Sequence, residues 1–492
     1  MVDHTALSRH LDISAEWLLI RGRGRSFTLT RNEIDIEALP DRTLITFIDD
    51  KGSHTRRINS FVLLDDEVEA EVAGAFGKDA ERLRLIPRTP ASLLTAEVER
   101  ARLKMANSIA GSVEQSIAGI RLVRVALNSR GGRLAQIIYK DHEKRSYAAI
   151  SDVTGTMTSE QMLASSMLWS EILSARKDAI NNILIICEKR HARELQKLTA
   201  LLNPHWRSRI DVAELDRKSD PLKFNILAHR RISELWRDKQ HKFSLPVSGV
   251  ASRTAELIQR LAPDKIDIIH AQKGETLRYF GLPFVRTRTM MGKERAWFGT
   301  SKEQHPLIPE TWDDLVMLTE KIASVRNAAP CSKRHEYYRT ASEAWLESIL
   351  RRDITLLDGN LMLSPIYNQF RSNSDRIDLL ALRRDGRLIV IEVKTHPDRG
   401  MVFQAANYWR MIELQRRRGD LAAADLFGNA VISDKPAIVY LVAPAWSFHR
   451  DHEFFARSIA ADIEMWRFEL HEDWRREIRV IARNRYSGET NL

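Results

Sequence analysis

Residues 376–394 place two carboxylates and a lysine inside what reads as a pair of apolar strands. The run is Arg376-Ile-Asp378-Leu-Leu-Ala-Leu-Arg-Arg-Asp385-Gly386-Arg-Leu-Ile-Val-Ile-Glu392-Val-Lys394. Asp385-Gly386 is a good hairpin turn. Asp378 opens the first strand. Glu392 and Lys394 lie two apart on the second, so they face the same side of the sheet. A carboxylate among buried apolar neighbours is costly unless it is paired or binds a cation. Two convergent carboxylates suit a hard divalent ion, Mg2+ or, as an alternative, Mn2+. Such an ion polarises a phosphoryl group and lowers the pKa of water. A nearby lysine can orient that water and stabilise developing negative charge. The chemistry that needs this set is phosphodiester hydrolysis. The plainer reading is a Glu392–Lys394 ion pair at a strand end, but an isolated pair in a buried strand rarely adds stability.

These residues need a scaffold of alternating helices and strands, and the C-terminal sequence supplies one. A helix is expected from Lys333 to about Arg352, then strands at 362–367, 377–382 and 388–394. A helix over about 402–417 follows, then a strand at 438–442, a helix around 453–459 and strands at 463–470 and 477–482. Strands alternating with helices argue for a mixed α/β core. Glu343 and Glu347 lie on one face of the first helix. Gln404 and Tyr408 lie one turn apart on the second, where they could also merely cap a core. His396 and Arg399 read as solvated loop residues.

Asp-x13-Glu-x-Lys on a hairpin resembles the PD-(D/E)XK nuclease superfamily, the restriction-endonuclease-like fold. Gln404-Ala-Ala-Asn-Tyr408 resembles the Gln-x-x-x-Tyr motif of its RecB-like and NucS-like branches. Ser342-Glu343-Ala-Trp-Leu-Glu-Ser-Ile-Leu resembles the family's first core helix, and the NucS-like endonucleases are the nearest in pattern. Ile377 stands where the motif has proline, a position that varies. The resemblance spans roughly residues 333–485. It implies Asp378, Glu392 and Glu343 as metal ligands, and Lys394, Gln404 and Tyr408 beside them in the catalytic set. It also implies a Mg2+-dependent hydrolase acting on DNA in repair or defence, with RNA left open.

The rest of the chain is less specific. With 492 residues, 43% hydrophobic and 29% charged, the chain is not disordered and can hold several cores. A net charge of +10 suits a polyanionic partner. Cys187 and Cys331 exclude a disulfide scaffold and a cysteine zinc site, and both read as buried spectators. No apolar run reaches membrane-spanning length, no secretory leader is visible, and a cytoplasmic protein is expected. No Walker-type loop is present.

The division expected is a strand-rich module over 1–90, an α/β unit over 91–217, a connector with a second strand-rich module over 218–332, and the nuclease-like domain over 333–492. Arg21-Gly-Arg-Gly-Arg25 could hold a phosphate or be a solvated hairpin tip. The 91–217 unit reads as a degenerate nuclease-like copy, expected to overlay with Val123 at the Asp378 position, Ile138 at the Glu392 position and Lys140 at the Lys394 position. That would make an internal pseudo-dimer, with a homodimer as the other possibility. The C-terminal part, cut free near Met290, is expected to keep its chemistry if its core folds alone. Two other functions fit the same residues: a nucleic-acid-binding protein that no longer cleaves, and a nuclease gated by a ligand in its N-terminal half.

Overall fold

The computed structural model describes residues 4–21, 25–49, 52–64, 66–74, 80–88, 91–128, 131–176, 180–217, 219, 222–238, 250–271, 274–290, 293–300, 304–363, 371–372 and 375–486. The chain is a mixed α/β protein in two units, Met1–Met105 and Ala106–Leu492. Among the described residues no helix is long and apolar enough to cross a membrane. Cys187 is buried, whereas Cys331 is exposed, against expectation.

The first unit is built on an antiparallel sheet of seven strands among the described residues. Their order is Arg25–Thr30, Glu16–Arg21, Glu81–Arg88, Glu67–Val72, Gly52–Leu64, Arg42–Asp49, Ile34–Leu39. Alternation puts Trp17, Leu19, Phe47, Val68, Leu83 and Leu85 on one buried face. Leu7 and Leu11 of helix His4–Leu11 join that core. Arg21 of the basic turn pairs with Glu81 at 3.0 Å, and residues 22–24 lie outside the described residues.

The second unit contains two sheets, each with six strands among the described residues, and their topology is the same. The first runs Ile120–Leu127, Leu134–Asp141, Ser146–Asp152, Ile183–Glu188, Ile210–Asp216, Lys223–Leu227. The second runs Leu361–Leu363, Leu379–Arg383, Leu388–Val393, Ile438–Pro444, Met465–Leu470, Val480–Tyr486. Both pair antiparallel, antiparallel, parallel, parallel, antiparallel. The helices between the parallel strands also correspond. Ser159–Ser174 matches Met401–Arg418, and Lys189–Ala200 matches His452–Arg457.

A constant shift of 242 positions carries the first half onto the second from 134 to 166. Ser146 pairs with Lys140 as Leu388 pairs with Leu382. The turns close with the same two bonds: Asp141 N to Arg145 O and Lys144 N to Asp141 O, against Arg383 N to Arg387 O and Gly386 N to Arg383 O. Lys144 and Gly386 both have positive φ, 63° and 80°. Ala148 and Val390 then meet Ile183 and Val439 on the parallel side. This overlay corrects the expected one by a hairpin. Gln136, not Val123, stands at the Asp378 position. Ile150, not Ile138, stands at the Glu392 position, and Asp152, not Lys140, at the Lys394 position. The cause is strand Ser146–Asp152, whose Ser-Tyr-Ala-Ala-Ile-Ser-Asp sequence has little β-branched content to signal it.

The two halves meet through equivalent points. Leu202 and Ile459, each following the last of the corresponding helices, form an antiparallel bridge. Asn203 N donates to Ser458 O at 2.8 Å and Ala460 N to Leu201 O at 2.9 Å. At the other end, a Cβ on Gly400 would sit 3.2 Å from Glu160 Cβ. Gly400 precedes one matching helix and Glu160 begins the other. Reciprocal contacts between equivalent positions are the signature of a two-fold arrangement. One apolar core, with Leu163, Met167, Ile185 and Leu195 from one half and Val390, Ala405, Trp409 and Val439 from the other, fills the space between the sheets. Trp206 packs edge-on against Phe454 and Trp236 against Trp409. A fragment starting near Met290 would leave half of this core behind.

A third sheet precedes the second half. Strands Ile266–Ala271, Gly274–Tyr279, Leu282–Met290, Lys293–Phe298 and His305–Pro306 form an antiparallel meander, with helix Trp312–Val325 against it. Where strands over 364–367 were expected, the residues lie outside those described.

Candidate active site

Glu392 is the penultimate residue of a strand, Leu388–Val393, buried along its whole length, and it is itself fully buried. Its position follows from pleat parity. Leu388 and Val390 face the core shared by the halves, and Ile389, Ile391 and Val393 face the opposite core, so Glu392 points toward the shared side. Lys394 lies just past the strand, where its N–H still bonds Val442 O at 3.0 Å and continues the parallel ladder. Its ammonium donates to Glu392 Oε1 at 2.6 Å. Asp378, immediately before strand Leu379–Arg383, accepts the Val393 N–H at 2.9 Å through Oδ2. That bond ties the start of one strand to the end of its neighbour.

Glu343 is held near the site by helix Ser342–Arg352. Its carboxylate is 3.9 Å from Lys394 Nζ and half exposed. Glu347, the alternative on that helix, is buried and bonded to Arg351 at 2.6 Å. The helix start is anchored from below. Arg326, fully buried, donates to Phe280 O, Tyr337 O, Thr340 O and Ala341 O. Ala341 takes a left-handed φ of 51° at this N-cap. Gly281 lets the meander approach, since a Cβ there would lie 2.2 Å from Ala344 O. Ser342 Oγ and Thr395 Oγ1, 2.6 Å apart, join the helix start to the strand end. Sequence reasoning found none of these supports, because Arg326 and Gly281 act through main-chain carbonyls far away in the chain.

Gln404 Nε2 donates to Tyr408 Oη at 2.8 Å, so these two are joined to each other on helix Met401–Arg418. Asp378, Glu392, Lys394 and Glu343 form the other group. Arg399 donates to His449 Nε2 at 3.1 Å, and His396 is exposed in the loop between strand and helix.

Electrostatics set the protonation of the pair. Burial opposes charge on Lys394, but Glu392, Asp378 and Glu343 outweigh it and raise its pKa, so the ammonium is retained. Burial, then repulsion from Asp378, pushes the Glu392 carboxyl well above the usual carboxylate range, with Lys394 acting in the other direction. Glu392 Oε2 is buried with no hydrogen-bond partner among the described residues. A buried carboxylate oxygen without a donor, near a second carboxylate, fits a hard cation in charge and donor type. Among the described residues no group of three or more His, Cys, Asp or Glu side chains gathers closely enough to hold a metal ion. Asp378 and Glu392 are therefore the donors this site offers, with Glu343 further out on the lysine.

A cavity of about 580 Å3 lies elsewhere, in the 120–227 half, lined by residues including Tyr139, Asp141, Arg145, Tyr147, Leu184 and Asp211. Sequence patterning gave no sign of it.

No family model matches the chain, and no curated protein matches it. Two solved structures are similar to parts of it. One, described as the structure of EndoMS in apo form, is 13% identical with a TM-score of 0.15, covering 39% of this chain and 89% of that one. Another, of an EndoMS–dsDNA2 complex, is 12% identical with a TM-score of 0.14, covering 37% of this chain and 81% of that one.

Proposed function

We propose that this chain is a metal-dependent endonuclease that hydrolyses phosphodiester bonds in DNA. The observation that carries the reading is the fully buried Glu392, bonded to Lys394 on one oxygen and without a partner among the described residues on the other. A structural ion pair gains little from such burial, whereas a cation and an anionic substrate would use both groups. Asp378 and Glu392 would hold Mg2+ or Mn2+, which supplies Lewis-acid polarisation of the phosphodiester and a nucleophile at neutral pH. Lys394 keeps its proton and offers a positive charge to the phosphoryl oxygens. Glu343, half exposed beside Lys394, holds that ammonium toward the open side. Gln404 and Tyr408 present an amide and a phenol on the helix that packs on the side Glu392 faces. The net charge of +10 supplies phosphate attraction.

The test is cleavage of single-stranded, duplex, flap and mismatched DNA, and of RNA, with Mg2+ or Mn2+ and with chelator. Metal-dependent products that vanish in Glu392→Gln support the reading. Full activity of Glu392→Gln places the chemistry elsewhere. Binding without cleavage leaves a nucleic-acid-binding protein. The cavity in the 120–227 half favours a second reading, a nuclease gated by a small ligand, which predicts that cleavage depends on an added metabolite fraction.

A further inference from the structure

The two-fold relation between the halves has a consequence for which strands are cut. The strands of B-form DNA are related by two-fold axes perpendicular to the duplex, so a two-fold protein docks with equivalent points on opposite strands. In this chain the equivalent points are chemically unequal. Asp378, Glu392 and Lys394 correspond to Gln136, Ile150 and Asp152. Ile150 has no atom that can ligate a cation. Asp152 puts an anion where a lysine would face phosphate. Its oxygens are also taken by Thr154 N at 2.8 Å, Thr154 Oγ1 at 2.6 Å and Met157 N at 2.8 Å. Both rims nonetheless carry exposed cations just beyond equivalent parallel strands: Lys189, paired with Glu214 at 3.2 Å, and Arg190 after Ile183–Glu188, and Arg450, 3.5 Å from Asp451, after Ile438–Pro444. Positive rims attract phosphate without regard to catalysis.

Resting on the nuclease reading, we infer that one molecule binds duplex DNA across both halves and hydrolyses one strand only, so that its product is a nick. In each event water adds to one phosphorus and one P–O ester bond breaks, leaving one phosphate and one hydroxyl terminus. The silent half grips the opposite strand and leaves it intact.

The experiment uses the full chain and supercoiled plasmid with Mn2+ or Mg2+, the protein kept below the plasmid concentration. The expected first product is the nicked circle, with linear DNA arising only later from separate events. Gln136→Ala, in the silent half, should leave the nicking rate unchanged, and Glu392→Gln should abolish it. Linear DNA appearing without a nicked precursor overturns the inference while the nuclease reading stands. Cleavage confined to single strands does the same. A nicking rate that falls in Gln136→Ala without loss of folded protein, read by circular dichroism, shows that the first half takes part in the chemistry and also overturns it. No cleavage of any nucleic acid under any metal overturns the nuclease reading and this inference with it.

Discussion

Between 134–166 and 376–408 the main-chain bonds repeat and the side chains do not. Only Arg145/Arg387 and Ala164/Ala406 are identical across that stretch. The turn bonds, pairing register and helix start nevertheless coincide. Main-chain hydrogen bonding and the apolar face of a helix tolerate many sequences, so a fold can persist after its chemistry is gone. A catalytic group has no such latitude. Glu392 is fully buried, and among the described residues its hydrogen-bond partner is Lys394. Ile150 at the equivalent place is equally buried and needs no such partner. In the first half the loop is built around Asp152, whose carboxylate closes 152–157 with three bonds. The other half leaves the corresponding Lys394 facing carboxylates.

The largest effect should separate the halves by activity. On the nuclease reading, Glu392→Gln removes a carboxylate that would hold the metal ion and should lower the cleavage rate by about 10³-fold or more, comparable with losing a preorganised electrostatic contact. Ile150→Val in the silent half should leave that rate within about twofold, since an Ile→Val change costs only about 0.5–1.5 kcal/mol of stability. Steady-state rates on one duplex substrate compare them directly.

Next is stability. Ile150→Glu places a carboxylate in the shared core without a partner and should cost about 3–5 kcal/mol. Adding Asp152→Lys rebuilds the Glu392–Lys394 relation, and the coupling should recover about 1–3 kcal/mol of the loss. Urea midpoints of the single and double variants give the cycle. Purely additive losses would break the equivalence of the two hairpins. Below the helix bearing Glu343, Arg326→Met takes the guanidinium donor from the carbonyls of Phe280, Tyr337 and Thr340, and one of two donors from Ala341 O, which keeps the Trp345 N–H, and should cost a similar 3–5 kcal/mol. It should also lower cleavage in the fraction that stays folded, because the helix bearing Glu343 loses its anchor.

The loop around Asp152 predicts a pH dependence confined to one half. Burial raises the Asp152 pKa, but the bonds from Thr154, Met157 and Gly155 outweigh burial and hold it below the ordinary value. A lowered folded-state pKa adds stability that is present above the unfolded value, about 3.9, and lost as pH falls through the folded one. Thermal melts of the wild type should therefore weaken below about pH 4, and Asp152→Asn should melt lower at neutral pH with a flatter acid limb. An unchanged acid limb would mean the loop is held by something other than this carboxylate.

How much of this was legible in the sequence depended on whether a residue speaks locally. The hairpin of 376–394 was legible because apolar runs flank Asp385-Gly386 and the charges break the pattern. Strand Ser146–Asp152 was not legible, since Ala148, Ala149, Ser151 and Asp152 are poor strand formers and the strand exists because it is buried between two neighbours. Losing that one strand shifted the whole overlay of the halves. Strand Lys223–Leu227 was missed in a stretch read as a connector, being a short edge strand that stays largely exposed. At the site, Glu392 and Lys394 were legible as charges in an apolar strand. The choice of Glu343 over Glu347 as the neighbour of Lys394 was not fixed by helix periodicity. It depends on the Arg326 anchor and the Glu347–Arg351 bond, both set by tertiary contacts.

The smallest effect tests the same overlay at a single turn residue. Lys144 and Gly386 occupy the same place in the two hairpins, with φ of 63° and 80°. A left-handed conformation costs an L-residue about 1–2 kcal/mol, and glycine escapes that cost while losing some unfolded-state freedom. Lys144→Gly should therefore stabilise the protein by up to about 1 kcal/mol. Gly386→Ala runs the other way for two reasons. It adopts the same strained φ, and its Cβ would lie 2.7 Å from Val431 O and 3.2 Å from Ser433 N. The segment around Ser433 bonds back to Gly386 O at 2.7 Å, so it cannot move off freely, and the loss should be about 2–3 kcal/mol. Opposite signs from the two substitutions, read as urea midpoints, would mark the turns as equivalent in backbone and unequal in surroundings. A stabilising Gly386→Ala, or a destabilising Lys144→Gly, would separate the two hairpins and move the register on which the silent site is placed.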